Sequence, residues 1–305
     1  MKSPATQPRR ALTVSTPVVT GRFPIEIVLS VYLRALRATA NATLDEVARG
    51  THTSISTITR WERAATPMTP QGLETLLRYY QVPPRTIAYL RLNCPNPYGR
   101  PSRARLDSLE HWVDTVSGKP IARHTAVTRA ASDAVQVATS LIPSSFRTPA
   151  YRAAVTATGL ATDELPADKQ PPAWLAHAPT PRVRRRTLLL DKTILRHPVG
   201  GHDVWAAQLR HLLDLMDNRA RPVSIRVLPN RDRTAAHPTA GQTSAFAVNG
   251  HWLISGCHLA PWYETRTRRA QTLLRKLHNA VANAHGREES YRLIRQAVEW
   301  WEAAI

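Results

Sequence analysis

Apolar residues in the first third of the chain recur every three or four positions, in short runs separated by polar residues. This spacing is typical of helices with one buried face. It predicts a mainly α domain of five helices over residues 23–93. The predicted helices cover residues 24–40, 44–50, 55–63, 73–80 and 87–92. In the first of them the buried face consists of Val28, Leu29, Tyr32, Leu33 and Leu36.

Polar residues between the first three helices predict where each helix ends and the next begins. Asn41 tolerates a left-handed backbone and suits a helix end. Thr43 and Glu46 form the pattern of a capping box, and Ser54 is the cap of the third helix. Two capped helices joined by a short turn predict a helix-turn-helix, which lays its second helix in the major groove of DNA.

The third helix, over residues 55–63, is the predicted recognition helix. Ile58 and Trp61 lie on one face and are expected in the core, which leaves the other side chains pointing outward. Short hydroxyl side chains and one guanidinium suit contacts with base edges and phosphates. The candidate DNA-binding residues are Thr43, Ser54, Ile55, Ser56, Thr57, Thr59 and Arg60.

This region resembles helix-turn-helix regulators of the xenobiotic-response-element (XRE) type, a group that includes phage repressors. The most specific part of the resemblance is residues 54–63. In that family an Arg late in the first helix pairs with a Glu that ends the recognition helix, so the resemblance implies a structural ion pair between Arg37 and Glu62. Two positions depart from the family, because His52 and Ala64 stand where Gly is usual.

From residue 106 onward, helical runs alternate with short apolar segments typical of strands. Asn249-Gly250 between two such segments is a strong signal for a β-hairpin. The pattern predicts an α+β domain over residues 106–305, with a small sheet packed against helices. Predicted strands cover residues 187–191, 223–228, 245–248 and 251–255, with a strand or helix edge at 132–141. Predicted helices cover residues 204–216, 266–284 and 288–304.

Three segments lack this patterning. Residues 94–105 are rich in Pro, Gly and Arg and are predicted to be an interdomain linker. Residues 166–181 are rich in Pro and are predicted to be a surface loop. Residues 1–22 carry Pro, Thr and Arg with little apolar pattern, which predicts a flexible basic arm.

The second half resembles the C-terminal domain of unknown function of WhiJ-like actinomycete regulators. The similar stretches are residues 142–151, 195–201, 208–209, 225–229 and 289–290. The resemblance implies a module that senses a ligand or binds a partner. Residues 144–147 depart from the family's usual sequence, so a pocket built there differs from that of relatives. The candidate effector-pocket residues are Phe146, Arg147, Tyr151, Trp262 and Tyr263.

Charge adds support for a nucleic-acid partner. The 305 residues contain 41 Lys and Arg against 22 Asp and Glu, a formal net charge of +19. Only five of the 41 are Lys, and Arg suits phosphate contacts because its guanidinium reaches two oxygens at once. A high-GC coding sequence also favours Arg codons, so the composition supports DNA binding without proving it.

The positions of the two cysteines indicate the cellular compartment, and the absence of several sequence motifs argues against some classes of protein. Cys94 and Cys257 lie far apart in different predicted domains, which fits a reducing cytoplasm. We expect a cytoplasmic, nucleoid-associated protein, because no signal peptide and no run of about 18 apolar residues is found. No metal-ligand spacing, Gly-rich phosphate loop or Gly-x-Ser-x-Gly motif occurs, so we expect neither a metal nor a cofactor.

These observations predict a DNA-binding transcription regulator whose C-terminal domain receives a signal from an effector or a protein partner. One recognition helix reads only a few base pairs, so we expect a homodimer. The two terminal helices each carry an apolar face that can pack on their own sheet or on a second copy. The alternatives are an antitoxin-like module that holds a small partner protein, and an enzyme built on the regulator scaffold.

Overall fold

The structure, a computed structural model, describes residues 21–115, 119–159, 163–165, 170–218, 223–229, 243–257 and 259–304. The predicted flexible arm, residues 1–22, lies outside these ranges except for its last two residues.

Five helices form the N-terminal part in the predicted order, although the fourth and fifth each begin three residues before the predicted start and the third ends two residues before the predicted end. They are α1 (Pro24–Thr39), α2 (Leu44–Thr51), α3 (Ile55–Trp61), α4 (Pro70–Tyr79) and α5 (Pro84–Asn93). Their buried positions include Leu73, Leu76 and Leu77 on α4 and Ile87 and Leu90 on α5. Leu92 is 71% exposed and takes no part in the core.

The C-terminal part combines helices with a mixed sheet, which confirms the predicted fold class. Its helices are α6 (Arg103–Glu110), α7 (Pro120–Ala130), α8 (Pro149–Ala157), α9 (Ala173–Ala176), α10 (His202–Asp217), α11 (Arg268–Asn283) and α12 (Arg287–Glu302). Its strands are β1 (His111–Val113), β2 (Asp133–Ala138), β3 (Arg185–Asp191), β4 (Val223–Leu228), β5 (Thr243–Val248), β6 (His251–Cys257) and β7 (Pro261–Glu264). The first three residues of α6 belong to the predicted linker, residues 94–105, so that linker is helical at its end.

The seven strands form one sheet in the order β1-β7-β6-β5-β2-β3-β4. The first five are joined by antiparallel pairing, whereas β2, β3 and β4 pair in parallel. The parallel pair β3 and β4 is connected through α10, as parallel neighbours require. The β5–β6 hairpin turns at Asn249 and Gly250, whose φ values of 51° and 80° fit the tight turn that this dipeptide predicts.

Helices cover both faces of the sheet. On one face α11 packs against alternate residues of the central strands, among them Val135, Leu189 and Ile254. On the other face α8, α10 and α12 cover the parallel half. The apolar faces of α11 and α12 are therefore buried in the chain's own core, with Leu277, Ile294 and other members each at most 6% exposed.

The antiparallel half of that second face is covered by α1, the first helix of the N-terminal part, together with α7. A continuous apolar cluster joins α1 to α7, α9 and the strands β5, β6 and β7. Ile25, Ile27 and Val31 are at most 1% exposed, although they lie outside the single buried face that the spacing predicts. Every residue of α1 from Pro24 to Leu33 is buried, so this part of the helix is enclosed on all sides.

One aromatic contact shows how closely the two parts pack. The ring of Tyr32 on α1 meets the ring of Trp174 on α9 edge to face, with centroids 4.8 Å apart. Trp174 and Leu175 are buried, so the predicted surface loop over residues 166–181 is wrong for residues 173–176. Because that segment is rich in Pro, its composition does not predict the single helical turn, α9, that it contains.

Candidate nucleic-acid interface

The helix that precedes the recognition helix, α2, begins with a capping box. The backbone amide of Glu46 donates to Thr43 Oγ1 over 3.2 Å, and the amide of Thr43 donates to Glu46 Oε2 over 2.8 Å. These bonds favour the ionised carboxylate and lower the pKa of Glu46. Asn41 and His52 each end a helix region with φ of 50°. For Asn this conformation is common, whereas for His52 it carries strain.

The α3 helix divides into a buried and an exposed face. Ile58 is fully buried and Trp61 is 7% exposed, and the indole nitrogen of Trp61 donates to the carbonyl of Pro67. Ile55 is 45% exposed at the start of the helix. Ser54 caps α3 by accepting from the amide of Thr57 over 3.1 Å.

The outward side chains of α3 bond to one another and to their own helix. Thr59 Oγ1 donates to the carbonyl of Ile55 over 2.8 Å. Arg60 Nη2 donates to Ser56 Oγ over 2.6 Å, so the guanidinium lies along the helix toward Ser56. The spacing of residues four apart allows this contact, which is a signal in the sequence that could have predicted it.

Arg37 and Glu62 lie together at the end of the recognition helix. Arg37 Nε is 2.6 Å from Glu62 Oε1, and Nη2 is 2.8 Å from Oε2, a two-pronged pair of the kind that guanidinium and carboxylate favour. The hydrogen bond to Glu62 raises the pKa of Arg37. Two residues further on, Ala64 takes φ of 51° and is 1% exposed, at a position where the resembled family has Gly.

The C-terminal part contacts the end of α3 through the tip of the β5–β6 hairpin. Asn249 Nδ2 donates to Ser30 Oγ on α1 over 2.9 Å and to the carbonyl of Glu62 over 3.5 Å. Arg22 adds a second link, because its Nη2 donates to the carbonyl of Ala65 over 2.7 Å and its own carbonyl accepts from Thr265 Oγ1 over 2.6 Å. The hairpin was predicted from its dipeptide, but no local signal predicts what its tip touches.

The candidate effector-pocket residues are not brought into one pocket. Phe146 and Tyr151 are buried in the cluster that α8, α10 and α12 form on the parallel half of the sheet. Tyr263 is fully buried in the other cluster, the one that contains α1. Trp262, its neighbour on β7, points to the opposite face and packs toward α11. Alternation of side chains along the strand separates these two aromatic residues.

Arg147, the fifth of these residues, is a buried cation with acidic partners. Its Nη1 lies 3.0 Å from Asp163 Oδ1 and 3.3 Å from Glu164 Oε1, and its Nε donates to the carbonyl of Ile142 over 2.6 Å. The Arg147 side chain has no exposed surface. It therefore anchors residues 163–164 against the turn that follows β2.

Two structural criteria bear on the class of protein. Within those ranges, no group of three or more His, Cys, Asp or Glu side chains is placed to hold a metal ion. None of the helices in the described part is long and apolar enough to cross a membrane.

Comparison with known proteins identifies two regions of the chain. A helix-turn-helix domain family matches residues 28–90, and the family described as Domain of unknown function (DUF5753) matches residues 121–296. No curated protein and no solved structure matches the chain. The predicted pairing of a helix-turn-helix with a C-terminal domain of unknown function is confirmed. Because the second match covers more than half of the residues, the chain belongs to the DUF5753 family.

Proposed function

We propose that this protein is a sequence-specific DNA-binding transcription regulator that reads the major groove with α3. The observation that carries the proposal is the division of α3 into two faces. Ile58 and Trp61 fix the helix in the core, while Ser56 and Arg60 face solvent with hydrogen-bonding groups. An exposed helix with this chemistry, preceded by a capped helix and a short turn, fits a major groove.

The contacts that we propose divide into two kinds. Ser56 and Arg60 reach base edges from the middle of the helix, and Thr57 and Thr59 lie beside them. Thr43, Ser54 and Ile55 lie at or just before helix starts, where backbone amides and short side chains approach phosphates. The net charge of +19 adds attraction to the phosphate backbone that does not depend on sequence.

We further propose that two copies act together on DNA. The α3 helix has seven residues and reaches only a few base pairs, too few for selective binding in a genome. A homodimer reads two half-sites about one helical turn apart. The protein then acts in the cytoplasm, on the chromosome, and its C-terminal part receives the signal that changes DNA binding.

Selection of bound fragments tests the DNA proposal directly. The purified full chain is mixed with fragmented genomic DNA from its source, and retained fragments are sequenced. We expect enrichment of one inverted-repeat motif, and binding to that motif about 1,000-fold or more tighter than to a scrambled fragment at fixed salt. Retention of all fragments in proportion to their length would overturn the proposal. Light scattering on the same complexes measures whether one or two copies are bound.

A further inference from the structure

A cleft of about 460 Å³ opens between α12 and the short 3-10 helix Lys192–Arg196, which directly follows β3. All of its lining residues belong to these two elements, and the structure describes each of them. Clefts of this size, with an apolar lining and a few polar groups, are typical of sites for small organic ligands. The cleft is therefore a candidate ligand site in the C-terminal part, beside the apolar cluster that does not contain α1.

The α12 helix has two apolar stripes, and only one of them is buried. The core stripe consists of Ile294, Val298 and Trp301, each at most 6% exposed. The second stripe follows the same helical spacing and lines the cleft with Leu293, Ala297 and Trp300. Leu293 and Ala297 are half-buried, whereas Trp300 is 59% exposed. An apolar surface with a large exposed aromatic residue thus remains open beside the core.

The walls of the cleft are held in place by contacts within the protein. The indole nitrogen of Trp301 donates to the carbonyl of Leu195 over 2.8 Å, which joins α12 to the 3-10 helix. Leu195 is 5% exposed and forms part of the apolar lining. The ring of Trp300 meets that of Trp301 edge to face, with centroids 4.2 Å apart. An aromatic ring that is fixed at its edge and open to solvent favours a flat ligand ring that stacks on it.

The charged groups in the lining are all cations. Lys192 and Arg196 are the two charged lining residues, Gln296 is neutral, and the lining contains no Asp or Glu. Within the part of the chain that the structure describes, neither Lys192 nor Arg196 has an ion pair with a carboxylate. Arg196 is exposed and Lys192 is half-buried, so both can reach a bound molecule without unfolding the 3-10 helix.

The two carboxylates beside Lys192 are engaged with other groups. Asp191 accepts from the amide and the hydroxyl of Thr193, each over 2.8 Å. Both oxygens of Glu289 accept from Arg292, over 2.6 Å and 2.8 Å. This bonding lowers the pKa of Glu289, and the charge of Lys192 adds to the effect without a direct contact. The positive charge at this end of the cleft is therefore left for a ligand.

We propose that this cleft binds a small aromatic anion, whose ring stacks on Trp300 along the open stripe of α12 and whose carboxylate or phosphate group lies against Lys192 and Arg196. Ammonium and guanidinium groups bind both kinds of anion through charge-assisted hydrogen bonds. The proposal names a ligand class for the signal-receiving part of the proposed function, and its biological meaning rests on that function. Ligand binding itself involves no DNA.

Titration calorimetry on the full chain tests the proposal with naphthoate, which carries a carboxylate, and naphthyl phosphate, which carries a phosphate. Ionic strength is held constant with sodium chloride. We expect saturable binding of one or both probes at one site per chain. Naphthamide has the same ring without the charge, and we expect it to bind about tenfold or more weakly than naphthoate or naphthyl phosphate, whichever binds.

Variants of the chain test each half of the proposed site. Arg196→Gln and Trp300→Ala are each expected to weaken binding about tenfold or more. Trp300→Phe keeps an aromatic ring and is expected to stay within about threefold of the parent, which separates loss of stacking from loss of fold. Arg275→Gln is the matched control for charge, because Arg275 is exposed on α11, on the opposite face of the sheet; its affinity is expected to stay within about twofold of the parent.

The two anionic probes also identify the source of the charge. Binding of naphthoate alone indicates a carboxylate ligand, and binding of naphthyl phosphate alone indicates a phosphorylated one; either result supports the proposal. Absence of saturable binding to both probes would overturn it. Equal affinity for naphthamide, or equal affinity in the parent, Arg196→Gln and Trp300→Ala, would overturn it as well. Since no DNA is present, a failure to find an operator does not affect this result.

Discussion

The guanidinium of Arg37 pairs with the carboxylate of Glu62 through two hydrogen bonds, with nitrogen to oxygen distances of 2.6 Å and 2.8 Å. This pair joins the last turn of α1 to the residue that ends α3. It therefore fixes the angle between the helix that is embedded in the core and the helix proposed to read DNA. Both carboxylate oxygens of Glu62 and two nitrogens of Arg37 are engaged in the pair.

Glu62→Ala is expected to destabilise the full chain by about 3 kcal/mol, at the lower end of the range for broken buried pairs. The Glu62 side chain is 7% exposed and that of Arg37 is 21% exposed, so solvent screens the remaining charge only in part. Urea unfolding gives the measurement. Arg49→Ala, which breaks the exposed pair with Asp45, is the control and is expected to cost less than about 1 kcal/mol. Equal losses in the two variants would contradict a structural role for Arg37 and Glu62.

Arg60→Ala is expected to weaken binding to the selected operator by about 1–3 kcal/mol and to relax the base preference at one position. Band shifts with the operator and with single-base variants of it provide the test. Arg275→Ala is the control, because it removes the same charge from an exposed position on α11, on the opposite face of the sheet. A uniform loss over all DNA sequences would show that Arg60 contacts phosphate instead.

His52→Gly is expected to stabilise the full chain by about 1 kcal/mol, because Gly takes a left-handed backbone without strain. His52 has φ of 50° and an exposed side chain, so the substitution removes little packing. Thr53→Gly, at the next position, lacks this positive φ and is expected to destabilise. Melting temperatures of the two variants should therefore move in opposite directions; a lower value for His52→Gly would refute the strain argument.

Stability is expected to fall on acidification because of His124. Burial lowers the pKa of His124 to about 4, whereas in the unfolded chain the pKa is near its ordinary value of 6.5. Below pH 6.5 the unfolded chain binds a proton that the native protein excludes, so the native state loses stability as pH falls from 6.5 toward 4. At pH 5 this single group accounts for about 2 kcal/mol.

The test compares unfolding free energies at pH 7 and pH 5 for the parent and for His124→Gln. The parent is expected to lose about 2 kcal/mol more than the variant over this interval. Burial also lowers the pKa of His251 and His278, but both groups are present in both proteins and cancel in the comparison. Parallel losses would show that His124 does not carry the effect.

Asp114→Asn is expected to destabilise the protein by about 3–5 kcal/mol, because it removes the charge of the carboxylate that pairs with the buried guanidinium of Arg123. Both side chains of this pair are fully buried, with Arg123 Nη2 2.7 Å from Asp114 Oδ1. The Arg123 guanidinium also lies 5.8 Å from the ring centre of Tyr32 on α1. Asp107→Asn, in an exposed pair with Arg103, serves as the control. A loss no larger than that of the control would contradict a stabilising role for the buried pair.

The helix-turn-helix was predictable because its signals are local. Caps such as Thr43 and Ser54, together with the spacing of Ile58 and Trp61, act within one or two turns of helix. By contrast, α7 was missed, because it is buried on most of its surface and its sequence shows only weak amphipathic spacing. A helix enclosed in this way gives no clear boundary between apolar and polar faces.

The hydrophobic pattern does not predict contacts between residues that are far apart in the chain. Trp262 and Tyr263 are adjacent along the chain and were expected in one pocket. Because side chains alternate along the strand, they lie on opposite faces of the sheet. The approach of Asn249 to Glu62, 187 residues apart, likewise depends on how the whole sheet docks on α1. Local periodicity specifies elements and their buried faces, but not which element covers them.

Because α7, α9 and the strands β6 and β7 enclose α1, the helix-turn-helix part shares its core with the rest of the protein. A foreign helix-turn-helix placed at residues 23–93 would have to pack on the surface that contacts Ile25, Ile27 and Val31 in this protein. Replacement of the whole helix-turn-helix part is therefore expected to cost stability in this architecture. Under the proposed function, a new target site is therefore expected to come from substitutions on the outer face of α3, which leave the core around α1 unchanged.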